Sequence, residues 1–382
     1  MINNKIKEFL ANNKNLPTPF VVFDLSVLES KYAEFKNNFN DFDVFYAVKC
    51  NPAVEILKTL DSLGSCFDVA SIEEIELCLS VGISPDKLSW GSTIKKTSLI
   101  EKAYSKGVNI YAFDSEEELE KIAKYAPKSK VYCRILVNNK NALWPLSDKF
   151  GCSEYMAEDL MIKAKKLNLH PFGISFHTGS QQLDLQAWDV AISKVANIFN
   201  SLKEKHNINL EMVNIGGGYP AYGYITPYKF LNEYKSIIDG AFVKYFPHKK
   251  PKVFAEPGRF LVADAGVLKS EVVLVSKKDD SEKIKWVYLD IGVFGGLAET
   301  LGESIKYKII TDKDNTLEKI EVALAGPTCD GADIMYKNYK YSLPKDLQSG
   351  DSVYIISTGA YTTTYSSVCF NGFKPLKDYY VK

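Results

Sequence analysis

Short apolar runs alternate with helical stretches from about residue 26 to about residue 258. The runs are DVFYAV (43–48), CFDVA (66–70), KLSWG (87–91), VNIYAFD (108–114), KVYCRILV (130–137), PFGISFH (171–177), EMVNIGG (211–217) and KVFAEPG (252–258). Continuous apolar strands separated by helices predict a parallel sheet covered on its outer face. Between the runs, Ser26-Val-Leu-Glu29, Ser71-Ile-Glu-Glu74 and Ser115-Glu-Glu-Glu118 have the spacing of a capping box. Pro227 after Thr226 suits the first turn of a helix. Eight such units in this length predict a closed, TIM-like (β/α)8 barrel, a fold that typically takes about 250 residues. The rival, a doubly wound open sheet, usually carries GxGxxG after its first strand, and that motif is absent here.

After about Arg259 the pattern changes. LVADAGVLKSEVVLVSKK, KIKWVYLDIGVF, KYKIIT, KIEVALAG and DSVYIIST are β-rich runs joined by turns, and helical periodicity is nearly gone. They predict a second, all-β domain of the sandwich or barrel type. The early run PFVVFDL (19–25) has no place in the barrel and is expected to join that domain. The expected division is therefore 26–258 for the (β/α)8 barrel, with 1–25 and 259–382 forming a discontinuous β domain.

Composition narrows the function classes. A net charge of zero gives no global field that favours nucleic acid or a membrane surface. The polar start, MINNKIKEFLANNKN, lacks the apolar core of a signal peptide, and no run of about 18 apolar residues occurs. The seven Cys are odd in number and form no CxxC pair, which argues against a disulfide framework and a structural zinc site. No metal site and a cytoplasmic location are the expectations.

Active sites of such barrels lie at the C-terminal ends of the strands. There the runs place Lys49, Asp68, His177 with Ser180, Gly216-Gly217-Gly218, and Glu256-Pro-Gly258-Arg259, with Arg134 inside the fifth run. Each has a commonplace use alone: a strand-end lysine, a capping aspartate, a core histidine, loop glycines, a surface ion pair. Converging on one barrel mouth, they form a constellation. A lysine in a site with no metal ligands suggests a Schiff base or a general base. Glycines let backbone N–H groups approach a phosphate, and an arginine adds a bidentate contact. A carboxylate can keep a pyridine nitrogen protonated. Together they describe a pyridoxal 5′-phosphate (PLP) site. The apolar approach to Lys49 is expected to favour its deprotonated amine.

With these motifs in hand, the chain resembles the PLP-dependent decarboxylases of the alanine-racemase-like fold, and most of all ornithine decarboxylase. FYAVKCNP (45–52) is similar to the family's PLP-lysine motif. FDVAS (67–71), FHTGSQ (176–181), IGGGYP (215–220), AEPGRF (255–260), GPTCDGAD (326–333), GAYTTTY (359–365) and FNGF (370–373) follow in order. Asp330 after Cys329 is as in the diamine-forming enzymes, whereas relatives acting on diaminopimelate usually have Glu there.

The resemblance implies a role for each position. Lys49 links covalently to the cofactor and is displaced by the substrate amine. Glu256 pairs with the pyridine nitrogen, His177 stacks on the ring, and Asp68 belongs to the polar network near them. Gly216, Gly217, Gly218, Ser180, Gly258, Arg259 and Tyr361 hold the phosphate. Cys329 returns a proton to the α-carbon. Asp330 binds the distal ammonium of the amino-acid substrate, with Glu303 as a second carboxylate and Phe370 on the pocket wall. The eukaryotic members have Asp where Glu303 stands. The resemblance further implies a homodimer in which Cys329 and Asp330 reach the partner's barrel, and a place in polyamine biosynthesis, releasing putrescine. Lysine, dual lysine/ornithine, carboxynorspermidine and diaminopimelate decarboxylases, or an inactive regulatory homologue, are the alternatives. Replacing Lys49 by Ala is expected to abolish both the near-visible absorbance of bound cofactor and nearly all turnover; a spectrum and a CO2-release assay check it.

Overall fold

A computed structural model describes residues 2–138, 142–144, 149–315 and 318–382. They form two compact units. One comprises residues 31–220 and 228–258, the other residues 1–30, 221–227 and 259–382. After α1 (Asn4–Asn12) and β1 (Phe20–Asp24) comes α2 (Leu25–Asn38); the expected boundary lies after residue 25, and the division falls after residue 30, inside that helix. The short stretch 221–227, expected in the barrel, belongs to the sheet unit. There the Ile225 N–H donates to the Lys306 carbonyl.

The first unit is a closed barrel of parallel strands. Its eight staves are β2 (Phe42–Ala47), β3 (Cys66–Val69), β4 (Leu88–Trp90), β5 (Ile110–Phe113) and β6 (Lys130–Arg134), then, after the short β7 (Ala142–Trp144), β8 (His170–Ser175). Past β9 (Ser180–Gln182), which pairs with β7, come β10 (Met212–Asn214) and β11 (Lys252–Ala255), which closes the ring against β2. Each stave overlaps one of the eight runs, with β2 and β8 beginning one residue before theirs. Side chains alternate across a strand, so every second residue points into the barrel. Phe45, Ala112, Tyr132, Phe172, Met212 and Phe254 pack together as a buried apolar plug. Two residues further along the chain, at or just past the strand ends, stand Ala47, Asp114, Arg134, Ile174, Asn214 and Glu256. On most staves, then, one dyad step carries the lining from hydrocarbon to polar groups.

Helix starts follow local chemistry only in part. Ser71 caps α4 (Ile72–Ser80) by accepting from the Glu74 N–H at 3.3 Å, and Glu74 accepts from the Ala70 N–H at 2.7 Å. The box expected at Ser26 is replaced by Asp24, whose Oδ1 accepts from the Ser26 N–H and Oγ. Ser115 makes no side-chain cap at α6 (Glu116–Tyr125). Glu118 instead turns inward to the fully buried Lys95, 3.0 Å away, because an unpaired ammonium there would be costlier than an uncapped helix end. Pro227 lies ahead of α9 (Leu231–Tyr245), outside its first turn; the Phe230 N–H is capped by Glu233.

In the second unit, eight strands share one hydrogen-bonded sheet. Its central member is β12 (Gly266–Ser276), whose first half pairs with β1 and with β17 (Ser352–Ile356). Beyond a register shift between Val272 and Leu274 it pairs with β13 (Lys285–Leu289). The early run therefore lies in this sheet. All five residues of β1 are buried, and its other edge pairs in parallel with β18 (Lys377–Val381).

Candidate active site

The polar layer above the barrel plug brings together Lys49, Asp68, Arg134, Asn214 and Glu256, with Glu74 and His177 beside them. Lys49 sits in a single 3-10 turn (Val48–Cys50) directly after β2. Its ammonium donates to Asp68 Oδ2 at 2.9 Å. The lysine side chain is 45% exposed and the aspartate 4%, so the pair opens toward the mouth on the lysine side. Burial disfavours charge on the amine, but Asp68, Glu256 and Glu74 outweigh it and hold the pKa above the ordinary lysine value. The expectation of a readily deprotonated Lys49 is thus corrected: the carboxylates around it dominate its apolar approach.

Asp68 is buried, and its Oδ1 has no hydrogen-bond partner among the described residues. Gly91 makes room for it, since a Cβ there would lie 2.0 Å from Oδ1. Burial, and then the Asp68 charge, push the Glu256 carboxyl up to about 7, against the pull of Lys49. Burial likewise lifts Glu74 to about 7.

His177 follows β8. Its Nδ1 accepts from the Gly179 N–H at 3.0 Å, which leaves the ring proton on Nε2. Burial, with Arg134 and Lys49 nearby, holds its pKa well below the usual histidine range, so the ring is neutral at pH 7. Arg134, His177, Glu256, Gly91 and Tyr132 line one cleft.

The glycine triplet is held by close backbone approach. A Cβ on Gly216, Gly217 or Gly218 would meet the Phe176, Glu256 or Gly179 carbonyl oxygen at 2.5, 2.5 and 2.3 Å. Gly216 and Gly218 also take positive φ, +67° and +101°, which side chains rarely adopt. Ser180 opens β9, whose Gln182 N–H donates to the Gly218 carbonyl. Gly258 packs on Ala47 and Cys50. A lysine at the mouth, a carboxylate oxygen left unpaired and a glycine cradle suit an aldehyde-bearing, phosphorylated pyridine ring. The residues present therefore fit PLP.

The remaining predicted residues lie in the sheet unit. Arg259 is buried in a bidentate pair with Glu299, 2.6 Å from Nη1 to Oε2, and also donates to the Tyr224 hydroxyl at 3.1 Å. Tyr361, at φ +54°, stacks its ring 4.8 Å from the guanidinium. Cys329 and Asp330 are exposed on one loop. Its anchor is the buried Asp333, whose Oδ1 accepts from the Val293 N–H at 2.8 Å and Oδ2 from the Thr328 N–H and hydroxyl. Asn371 adds a hydrogen bond to the Cys329 N–H, and its neighbour Phe370 packs on Phe294 with ring centroids 5.1 Å apart. A groove of about 790 Å³, lined by Phe294, Thr328, Phe370 and Phe373 among others, runs beside this loop.

Glu303 is otherwise engaged. Its carboxylate accepts from the backbone N–H groups of Lys337, Asn338 and Tyr339 at 2.6–2.8 Å, and these donors, acting against partial burial, lower its pKa. As a second substrate carboxylate it would have to give up three hydrogen bonds. Sequence reasoning missed Asn214, Glu299 and Asp333. The one available signal was that a buried Arg, or a loop of exposed functional groups, needs a buried anion somewhere.

The family described as pyridoxal-dependent decarboxylase, pyridoxal binding domain, matches residues 25–263. The ornithine decarboxylase of Schizosaccharomyces pombe is 33% identical over 377 residues, covering 95% of this chain and 83% of its own. A lysine/ornithine decarboxylase of Selenomonas ruminantium is 32% identical, covering 96% and 90%. Among solved structures, the arginine decarboxylase of Paramecium bursaria Chlorella virus superposes with a TM-score of 0.89 at 30% identity, over 100% of both chains.

The carboxyl groups carry a pH signature. Folded Glu74 keeps its proton up to about 7, whereas its ordinary value is 4.5. The folded chain therefore binds more protons in that window, and stability present below pH 4.5 is lost as pH rises through about 7. Glu74→Gln, which keeps an acceptor for the Ala70 N–H, is expected to flatten this loss; urea midpoints of the cofactor-free chain across that pH window measure it.

Proposed function

Since the chain belongs to the pyridoxal-dependent decarboxylases, the ornithine/lysine/arginine family of carboxy-lyases that use PLP, we propose that it converts L-ornithine to putrescine and CO2. The observation that carries this reading is the Cys329-Asp330 pair. Both side chains are exposed on a loop that a buried aspartate holds in place. An aspartate in that position suits a distal ammonium and disfavours a zwitterionic end.

When bound, the cofactor supplies a ring that takes up the electron pair left on the α-carbon as CO2 departs. The chain's own residues divide the remaining work. Lys49 is the attachment point. Glu256 keeps a proton on the ring nitrogen, and each buried ion then offsets the other's desolvation. The neutral imidazole of His177 offers a flat face for the ring without adding a charge. Backbone N–H groups of Gly217 and Gly218, with Ser180 and Gly258, take the phosphate, while Asp68 orients the lysine amine. Cys329 donates the proton that replaces CO2. Phe370 forms pocket wall.

The exposure of Cys329, Asp330 and Phe370 supports a homodimer in which each copy serves its partner's barrel. Polyamine biosynthesis in the cytoplasm is the setting this product suits. Dual action on lysine is the second reading. It is favoured by the engagement of Glu303, which leaves Asp330 as the carboxylate available to the distal ammonium, and by the likeness to a lysine/ornithine decarboxylase.

CO2 release from ornithine, lysine, arginine and diaminopimelate in the presence of PLP tests the proposal. Ornithine is expected to have the highest kcat/KM. Lysine should follow within roughly 10–200-fold, the value of one methylene in a pocket. Faster turnover of arginine or diaminopimelate overturns the assignment. Cys329→Ala is expected to retain cofactor but to release aldehyde and pyridoxamine phosphate; diamine formed at the wild-type rate rules out the proton-donor role.

A further inference from the structure

Asn214 ends β10, two residues beyond the plug residue Met212, and is buried with 2% of its surface exposed. Its carboxamide bridges two parts of the site. Oδ1 accepts from the Gly216 N–H at 2.9 Å, and Nδ2 donates to Glu256 Oε1 at 2.5 Å. The Glu256 N–H returns to the Gly216 carbonyl at 2.8 Å, which closes a ring of three hydrogen bonds. The first of these bonds dictates the rest. A backbone N–H needs an oxygen, so the amide has only one orientation, and its NH2 must face Glu256.

We infer that Asn214 is a positioning residue for the cofactor: it locks the glycine cradle and the Glu256 carboxylate into one unit and leaves Glu256 Oε2 for the ring nitrogen. The inference rests on the reading of Glu256 as the ring's partner. An amide suits the task because it donates without adding charge. The surroundings of Glu256 already hold Asp68, Lys49, Arg134 and the Tyr132 hydroxyl. A second carboxylate in place of the amide would set oxygen against oxygen at hydrogen-bond distance.

Asn214→Asp separates the two arms. It keeps an oxygen for the Gly216 N–H and withdraws the donor from Glu256. PLP affinity by equilibrium dialysis is expected to fall roughly tenfold or more, the size of one lost charge-assisted hydrogen bond. In the Glu256→Gln background the same change should cost less than about twofold, because the amide introduced by that substitution can donate to the new carboxylate and the pair acts as a unit. An equal loss in both backgrounds, or none in the first, overturns the inference. Failure of the wild type to take up PLP would instead overturn the functional reading. If Asn214→Asp alone does not fold, thermal melting of the double variant decides. The inference requires Glu256→Gln to rescue it, and a double variant that stays unfolded refutes it.

Discussion

Charges gathered at the barrel mouth exist only in relation to one another. Lys49, Asp68, Glu74, Arg134 and Glu256 stand over a dry plug of side chains, where an isolated ion would cost several kcal/mol to desolvate. Mutual compensation makes the arrangement tolerable. The amine is held protonated by its carboxylates, while burial, ahead of any neighbouring charge, lifts Glu256 and Glu74 to about 7. The glycines serve the same constraint. Gly91 admits Asp68, and Gly216 to Gly218 bring backbone dipoles where a side chain would have brought bulk.

The barrel was legible because buried parallel strands write themselves as apolar runs, and each stave overlapped its run to within one residue at its start. The lysine, the acidic pair and the glycine triplet were legible because barrel chemistry sits where those runs end. Partners that pair across long separations were not. Glu299 lies forty residues from Arg259, and Asp333 acts on Val293 at the same separation. A local signal misled where tertiary demand was stronger, since Glu118 abandoned a helix cap for a buried lysine, and the role the resemblance implied for Glu303 met three backbone donors instead. The protonation of Lys49 was misjudged for a similar reason. Apolar neighbours in sequence were weighed, and carboxylates brought in from other strands were not.

Two styles of construction meet in one chain. In the barrel, each functional group stands on a rigid stave or immediately after it, so backbone geometry sets its position. In the sheet unit, Cys329 and Asp330 ride on an exposed loop that depends on one internal aspartate. Gly292 and Gly326 are tied to that anchor, since a Cβ on either would lie 2.1 or 2.3 Å from the Asp333 Oδ1. The loop is exposed at its tip and fixed at its root, a design suited to residues that must be reachable yet well aimed.

The pairing of β1 with β18 has a consequence for how the chain is made. A ribosome delivers β1 before the barrel segments, yet its antiparallel neighbour β12 and its parallel neighbour β18 both follow them. The apolar run Phe20–Phe23 is thus carried with both edges open until β12 emerges, and with one edge open until β18, while the barrel segments can already assemble. Vectorial folding here must be barrel first and sheet last. The nascent chain's exposure to aggregation and to chaperones is set by the wait for β12 and β18.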